Sequence, residues 1–341
     1  MREITLGKSG ITVPQCAFGA LPIQRISVDM AVELLRRAYD GGMRFFDTAR
    51  MYTDSEIKLG IAFEGIRDKV YIATKTGAVN ACDFERDLDT SLTNLKTDYI
   101  DLYQFHNPSF CPKPDDGSGL YEAMLRAKAD GRIRHIGITN HRLSVAKEAV
   151  ISGLYDTLQF PFCYLATDVD VELVELCKKH NVGFIAMKAL SGGLLTNAKA
   201  ACAWLLQYEN VLPIWGVQKK EELDEFLLYM NSVPLMDEST KALIEKDRKE
   251  LSGSFCRACG YCMPCPVGIQ ISNCARMSQL IRRSPSAQWL TDDNKAKMYK
   301  IEDCIGCGSC VSKCPYGLNT PELLKANLAD YKEIVSGKIK V

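Results

Sequence analysis

Short apolar runs alternate with longer runs of helical spacing along the first two thirds of the chain. Cys16–Ala20 reads as a strand ending in Gly19. Val28–Tyr39 then carries apolar residues at Val28, Val32, Leu35 and Ala38 and stops at Gly41-Gly42, which predicts a helix. Phe45-Phe46 is a second strand with helix Ser55–Phe63, and Val70–Thr74 a third with helix Phe84–Leu95. The alternation continues through Ile100–Phe105 with helix Leu120–Ala129, stopped by Gly131, then Ile136–Thr139 with Leu143–Ile151 and Thr157–Phe160 with Val169–His180. It closes with Phe184–Met187 and Ala198–Tyr208, then Leu212–Val217 and Glu221–Met230. Residues 3–13 alternate about Lys8-Ser9-Gly10, the pattern of a small hairpin expected to plug one end of the fold.

Eight strand–helix units in about 230 residues are the count and size of a closed (β/α)8 barrel, an α/β fold. An open doubly wound sheet is the competing arrangement, but no glycine-rich dinucleotide fingerprint follows the first strand. Ser232–Pro234 breaks the alternation, and Asp237–Leu251 reads as an amphipathic linker helix. Beyond it the composition changes, with helical stretches only around Ser272–Arg283 and Asp292–Tyr299. The expected division is a barrel over residues 1–235, a helical linker over 236–252 and a small, mainly helical domain over 253–341.

Composition narrows the function. Of 341 residues 47% are apolar, enough for a sizeable core, and the net charge is zero. Neither a nucleic-acid stripe nor a polybasic membrane patch is expected. No stretch approaches the roughly 20 apolar residues that cross a bilayer, and residues 1–10 lack an apolar signal core. Fifteen cysteines are the anomaly, and nine of them follow Phe255. Tight clustering without a secretion signal predicts metal ligation in a reducing cytoplasm rather than disulfides.

The candidate chemistry lies where barrel strands end. Phe45-Phe46 runs into Asp47, with Tyr52 five residues on; Tyr71–Thr74 runs into Lys75; Ile100–Phe105 runs into His106. In a barrel of parallel strands these ends share one mouth. Carbonyl reduction, or alcohol oxidation, needs a hydride at carbon and a proton at oxygen. A tyrosine carries that proton when a nearby ammonium brings its pKa down from about 10. A carboxylate behind the ammonium keeps it charged, and an imidazole beside the phenol orients the carbonyl oxygen. Tyr52, Lys75, Asp47 and His106 fill these roles. Singly, each also has a plain structural reading, as a cap, a rim aromatic, a buried ion pair or a turn residue. Their coincidence at one barrel face favours catalysis. His135 and His180 read as structural; His141, after Thr139-Asn140, lies at the barrel top.

These motifs closely resemble the aldo-keto reductase family. The resemblance covers Met1 to about Met230. It rests on D-T-A-R-M-Y followed by Ser55-Glu56, on Ala73-Thr74-Lys75, and on Ser91-Leu92 through Asp98–Leu102 to His106. Gly137–Asn140 and Gln159 complete it. It implies Asp47, Tyr52, Lys75 and His106 as the catalytic tetrad. It implies NADPH across the mouth, with Thr139 and Asn140 on the nicotinamide carboxamide and Gln159 nearby. Gly19, Met187, Lys188, Leu190 and Gln218 complete the expected cofactor-facing set. Two departures stand out. Met187 occupies the position where the family stacks an aromatic ring on the nicotinamide, and offers a polarizable but weaker surface. After the eighth strand, Ile214–Lys220 carries Lys219 and Lys220 for a 2′-phosphate, while Glu225-Phe226 replaces the family's Glu-Asn, and Phe226 has no hydrogen bonds to offer.

The tail carries a second signal. Cys304-x2-Cys307-x2-Cys310-x3-Cys314-Pro315 matches the bacterial [4Fe–4S] run, whose fourth cysteine ligates the other cluster of a pair. Upstream, Cys256-x2-Cys259-x2-Cys262-x2-Cys265-Pro266 is one residue short in its last gap. The expected ligand sets cross: Cys256, Cys259, Cys262 and Cys314 on one cluster, and Cys304, Cys307, Cys310 and Cys265 on the other, with Cys274 as the alternative to Cys265. The tail resembles a two-cluster ferredoxin of helical type. Cys16, Cys82, Cys111, Cys163, Cys177 and Cys202 read as free thiols.

Barrel and tail together resemble the iron–sulfur branch of the aldo-keto reductases. The expected function is oxidoreduction of a small carbonyl/alcohol pair, with two [4Fe–4S] clusters connecting it to an electron-carrier protein or a partner enzyme. Clusters pass single electrons and nicotinamide a hydride, so direct coupling needs a converter such as a flavin, which leaves either nicotinamide or flavin at the mouth. The competing expectation is a redox-sensing or electron-transfer subunit that keeps the barrel only as a ligand-binding module.

Overall fold

A computed structural model describes residues 2–251, 255–283 and 286–340. Two compact units form, one from Met1–Ala189 with Ala198–Thr240 and the other from Leu190–Asn197 with Lys241–Val341. Residues 190–197, inside the barrel range drawn from the sequence, pack with the C-terminal unit.

The first unit opens on a hairpin, β1 (Glu3–Thr5) and β2 (Thr12–Pro14). Eight strands follow: β3 (Ala17–Gly19), β4 (Phe45–Asp47), β5 (Tyr71–Thr76), β6 (Ile100–His106), β7 (Ile133–Thr139), β8 (Thr157–Pro161), β9 (Gly183–Met187) and β10 (Val211–Gly216). They pair in parallel in chain order, and β10 closes on β3. Helices α1 (Val28–Asp40), α2 (Ser55–Ala62), α3 (Ala81–Leu95), α4 (Leu120–Ala129), α5 (Leu143–Ser152), α6 (Asp168–Lys179), α7 (Ala198–Leu205) and α8 (Lys220–Asn231) alternate with them. The expected (β/α)8 barrel is therefore the fold.

Its register follows from which side chains need burial. Ile4, Leu6, Ile11 and Val13 of the hairpin share one core with Ala17, Phe45, Ala73, Leu102, Ile185 and Leu212 of the barrel strands. Each large apolar side chain so buried contributes about 1.5–3 kcal/mol. The hairpin seats on the amino end of β9 through a backbone approach too close for side chains. A Cβ on Gly7 (φ +52°) would lie 2.4 Å from the Gly183 nitrogen, and one on Gly183 2.8 Å from Leu6. Asp101 pins β5 to β6 by accepting from Ile72 N (2.9 Å) and Arg67 Nη2 (2.7 Å).

Some element edges differ from the sequence reading. β7 starts at Ile133, not Ile136, because Arg134 and His135 belong to the strand; Arg134 stacks its guanidinium 3.7 Å from the Tyr99 ring. β5 runs on to Thr76 and β6 to His106, so Lys75 and His106 are strand residues. In α1 the inward stripe is Ala31, Leu34, Leu35 and Ala38, and Val28 is exposed.

Helix α9 (Glu238–Glu250) leads into the second unit. There α10 (Ile271–Cys274), α11 (Met277–Arg283), α12 (Asp292–Tyr299), α13 (Ser309–Ser312) and α14 (Thr320–Val335) share a core built on Ile271, Met277, Met298, Leu328 and Tyr331. The stretch expected as one helix over Ser272–Arg283 breaks at Ala275-Arg276. The longest helix, α14, has Pro321 in its first turn and was not among the expected elements. Buried Asn327 joins it to α11, accepting from Ser278 N (2.9 Å) and donating to Leu323 O (2.8 Å). No described helix is long and apolar enough to cross a membrane.

Candidate active site and cluster cavities

Asp47 ends β4, Lys75 lies one residue before the end of β5, and His106 ends β6. These strands are neighbours and parallel, so the three side chains reach the carboxyl-end mouth together. The Lys75 ammonium is wholly buried and donates to both Asp47 carboxylate oxygens, at 2.7 and 2.8 Å, and to the Thr48 carbonyl at 2.6 Å. Tyr52 joins from the β4–α2 loop. Its ring centroid is 5.4 Å from Lys75 Nζ and 5.8 Å from the His106 ring, which meets it edge-on at 80°. All four sequence-predicted groups thus converge.

Burial raises the Asp47 carboxyl above its ordinary pKa and lowers the Lys75 ammonium below its own, while each partner pulls the other back toward charge. Burial, and then the Lys75 charge, lowers the His106 imidazole to about 3, so it is neutral near pH 7. Its Nδ1 is buried with no hydrogen-bond partner among the described residues. Between the unfolded value of about 6.5 and the folded one, the unfolded chain binds the extra proton. Barrel stability should therefore fall as pH drops below about 6.5, and His106→Asn should flatten part of that slope in acid titrations followed by tryptophan fluorescence. An unchanged slope would contradict the assigned environment.

Residues beneath the mouth set this geometry. Gln159 Nε2 lies 3.4 Å from Asp47 Oδ2, and its Oε1 accepts from Gln104 Nε2 (3.0 Å) and Thr139 Oγ1 (3.2 Å). Glu56, 1% exposed, accepts from Thr74 Oγ1 and Ser91 Oγ, both at 2.7 Å, and pairs with Arg50 at 3.1 Å. It thereby fixes the strand position next to Lys75. Gln104 and the holding role of Glu56 escaped the sequence reading, because a polar residue inside a strand gives no periodic signal. The chain also turns sharply after three site positions. Thr53, Asn107 and Lys188 have φ of +35°, +58° and +57°, a region that threonine and lysine rarely enter and that recurs at functional sites.

The remaining predicted residues divide by place. Gly19 ends β3 in register with Asp47 and Gly216. Asn140 is buried, donates to Pro108 O (2.9 Å) and accepts from Arg142 N (2.8 Å), leaving one donor and one lone pair. His141 is buried, and burial, then the Lys188 charge, holds its imidazole well below the usual histidine range. Met187 ends β9 and Lys188 follows it, whereas Leu190 belongs to the second unit. Gln218 and Lys219 donate their backbone N–H groups to Glu222 Oε2, at 3.0 and 3.2 Å. Phe226 is buried and stacks on Trp215 at 4.3 Å and 17°. Asn140 therefore has a donor and an acceptor of the kind a carboxamide could use. After β10, Lys219 and Lys220 are exposed, and the Glu222 carboxylate already holds the Gln218 and Lys219 amides, which a phosphate could otherwise use.

In the second unit, Cys256, Cys259, Cys262 and Cys314 line one cavity, and Cys262, Cys265, Cys304, Cys307 and Cys310 line another that shares Cys262 and Ile271 with it. Burial first, and then Cys256, Cys259 and Cys314, push the Cys262 thiol up to about 12. Among the described residues no three such side chains close as ligands of a single ion. A thiol-lined cavity suits a polynuclear iron–sulfur cluster better than one small cation. Cys274 lines neither cavity; it is buried, with Sγ 3.5 Å from Lys297 O.

The barrel, its mouth and the cysteine cavities meet known proteins here. The chain belongs to the aldo/keto reductase family, whose model matches residues 15–201, and it carries a 4Fe-4S dicluster domain matched over residues 255–319. L-galactose dehydrogenase of Arabidopsis thaliana is 28% identical over 279 residues, spanning 70% of this chain and 87% of that protein. A methylglyoxal reductase of Salmonella typhimurium is 30% identical over 192 residues, 54% of this chain and 69% of that one. Among solved structures, an aldo-keto reductase from Klebsiella pneumoniae in complex with NADPH superposes with a TM-score of 0.63 at 22% identity. It covers 72% of this chain and 95% of its own, which shows the shared fold.

Proposed function

We propose that the barrel interconverts a small carbonyl compound and its alcohol, using NADP(H) and Tyr52 as general acid/base. The observation that carries this is the convergence of the Lys75 ammonium (5.4 Å) and the His106 ring (5.8 Å) on Tyr52. Bound NADPH supplies a hydride for the carbonyl carbon. Tyr52 gives its phenolic proton to the carbonyl oxygen as the C–O double bond becomes an alkoxide, and the Lys75 ammonium stabilises the phenolate left behind. Asp47 keeps that ammonium charged in a buried site, and neutral His106 donates to the same oxygen and orients it. In the oxidative direction every proton moves the opposite way. Thr139, Asn140 and Gln159 would hold the nicotinamide carboxamide, and Met187 would line the same site.

The crossed sets Cys256, Cys259, Cys262 with Cys314 and Cys304, Cys307, Cys310 with Cys265 would hold two [4Fe–4S] clusters, which would supply single-electron exchange with a carrier protein. Clustered thiols support a reducing compartment, and the cytoplasm is the one we infer. A second reading has one observation in its favour: Glu222 on the Gln218 and Lys219 amides, with Phe226 in the core, leaves the family's phosphate clamp incomplete. On that reading the barrel binds a ligand without turning it over and serves a redox-sensing or electron-transfer subunit. Anaerobic titration of the holoprotein with NADPH, followed by tryptophan quenching, separates the two. Saturable quenching is the expected result, and none at all, with clusters still reducible, favours the second.

A further inference from the structure

Arg276 sits at the break between α10 and α11, next to Ala275, which lines the cavity of Cys256, Cys259, Cys262 and Cys314. Its side chain is only 7% exposed. Nη1 donates to the Gly192 carbonyl at 2.8 Å, while Nε is buried with no hydrogen-bond partner among the described residues. Burial lowers the pKa of this guanidinium, and Cys256 acts the other way to keep it charged. A buried guanidinium held by a neutral carbonyl, with one N–H undonated, is unfavourable unless an anion stands nearby. A cluster bound by four thiolates is such an anion, and gains a further negative charge on reduction. The neighbouring Arg257 is a weaker candidate. It is half-exposed and spreads over Phe255 at 4.5 Å, so solvent screens it.

We propose that Arg276 is the buried counter-charge of the cluster at Cys256, Cys259, Cys262 and Cys314, and that it raises that cluster's reduction potential. The assignment rests on the cluster reading above. The Gly192 carbonyl holds the guanidinium in place. A Cβ on Gly192 (φ +65°) would lie 3.1 Å from Nη1 and 3.7 Å from the Ala258 Cβ, so the approach suits glycine. A fixed positive charge in a low-dielectric site favours the reduced, more negative state; removing it favours the oxidised one. The Cys304, Cys307, Cys310 and Cys265 cluster serves as an internal control.

The test is an anaerobic redox titration of holoprotein by electron paramagnetic resonance, with iron content measured on the same samples, for wild type, Arg276→Gln and Arg276→Lys. Arg276→Gln should move one of two signals to more negative potential by about 59 mV, a tenfold fall in the reduced-to-oxidised ratio at fixed poise. Arg276→Lys should leave it near wild type. Loss of iron in Arg276→Gln that Arg276→Lys restores also supports a charge role. Unshifted signals in Arg276→Gln, equal shifts in both variants, or loss of iron from both overturn it. Wild type without iron would instead sink the cluster reading itself.

Discussion

Tyr52→Phe should lower carbonyl reduction by about 10²–10⁴-fold, the usual range for loss of a positioned proton carrier. The substitution is conservative where geometry matters. Phenylalanine keeps the ring that meets His106 edge-on at 5.8 Å and lies 5.4 Å from Lys75 Nζ, and removes only the hydroxyl. The Lys75–Asp47 pair, at 2.7 and 2.8 Å, does not include that hydroxyl and should persist. Saturation with NADPH should therefore survive while turnover collapses, so the loss appears in kcat. Anaerobic assays of NADPH consumption against a panel of aldehydes and ketones check this. Activity within a few fold of wild type would assign the proton to another group.

The second large effect concerns iron. Cys314→Ser should remove about half of the bound iron and sulfide, and leave the spectrum of one remaining cluster. The reason is the shared wall of the two cavities. Cys314 lines the one that holds Cys256 and Cys259, although it follows Cys310 in sequence. Had the ligands been local in sequence, the loss would strike the Cys304 cluster instead, and the surviving signal would keep the exposure of Cys256 rather than that of Cys304. Cys304 and Cys307 are exposed and Cys256 half-buried, so oxygen sensitivity tells the survivors apart. Cys274→Ser should keep all the iron, since Cys274 faces Lys297 and lines neither cavity. Because ligation and folding of such a unit are coupled, Cys314→Ser should also make it easier to proteolyse.

Most of the barrel was legible because its strands are buried on both faces and read as unbroken apolar runs. Legibility failed where function or an outer edge interrupts such a run. β5 and β6 continue into Lys75-Thr76 and His106, and those polar residues looked like loop because they carry the candidate chemistry. Arg134 hid the start of β7 in the same way. The tetrad itself was visible as residue types at strand ends, since parallel neighbours convert sequence position into a shared mouth. The roles of Glu56, Gln104 and Arg276 were invisible. Each makes a hydrogen bond to a residue 18 to 84 positions away, and no local pattern encodes those distances. The same holds for Leu190–Asn197, which contact rather than composition groups with the C-terminal unit.

The reaction itself is tested most directly by the fate of label from NADPH carrying deuterium at the nicotinamide C4, with oxygen excluded. Direct transfer at a mouth organised by Tyr52, Lys75, Asp47 and His106 predicts deuterium on the carbinol carbon of the alcohol formed by wild type, and none from Tyr52→Phe in the same interval. An alcohol carrying only solvent hydrogen at that carbon, formed as fast by the variant as by the wild type, would contradict it.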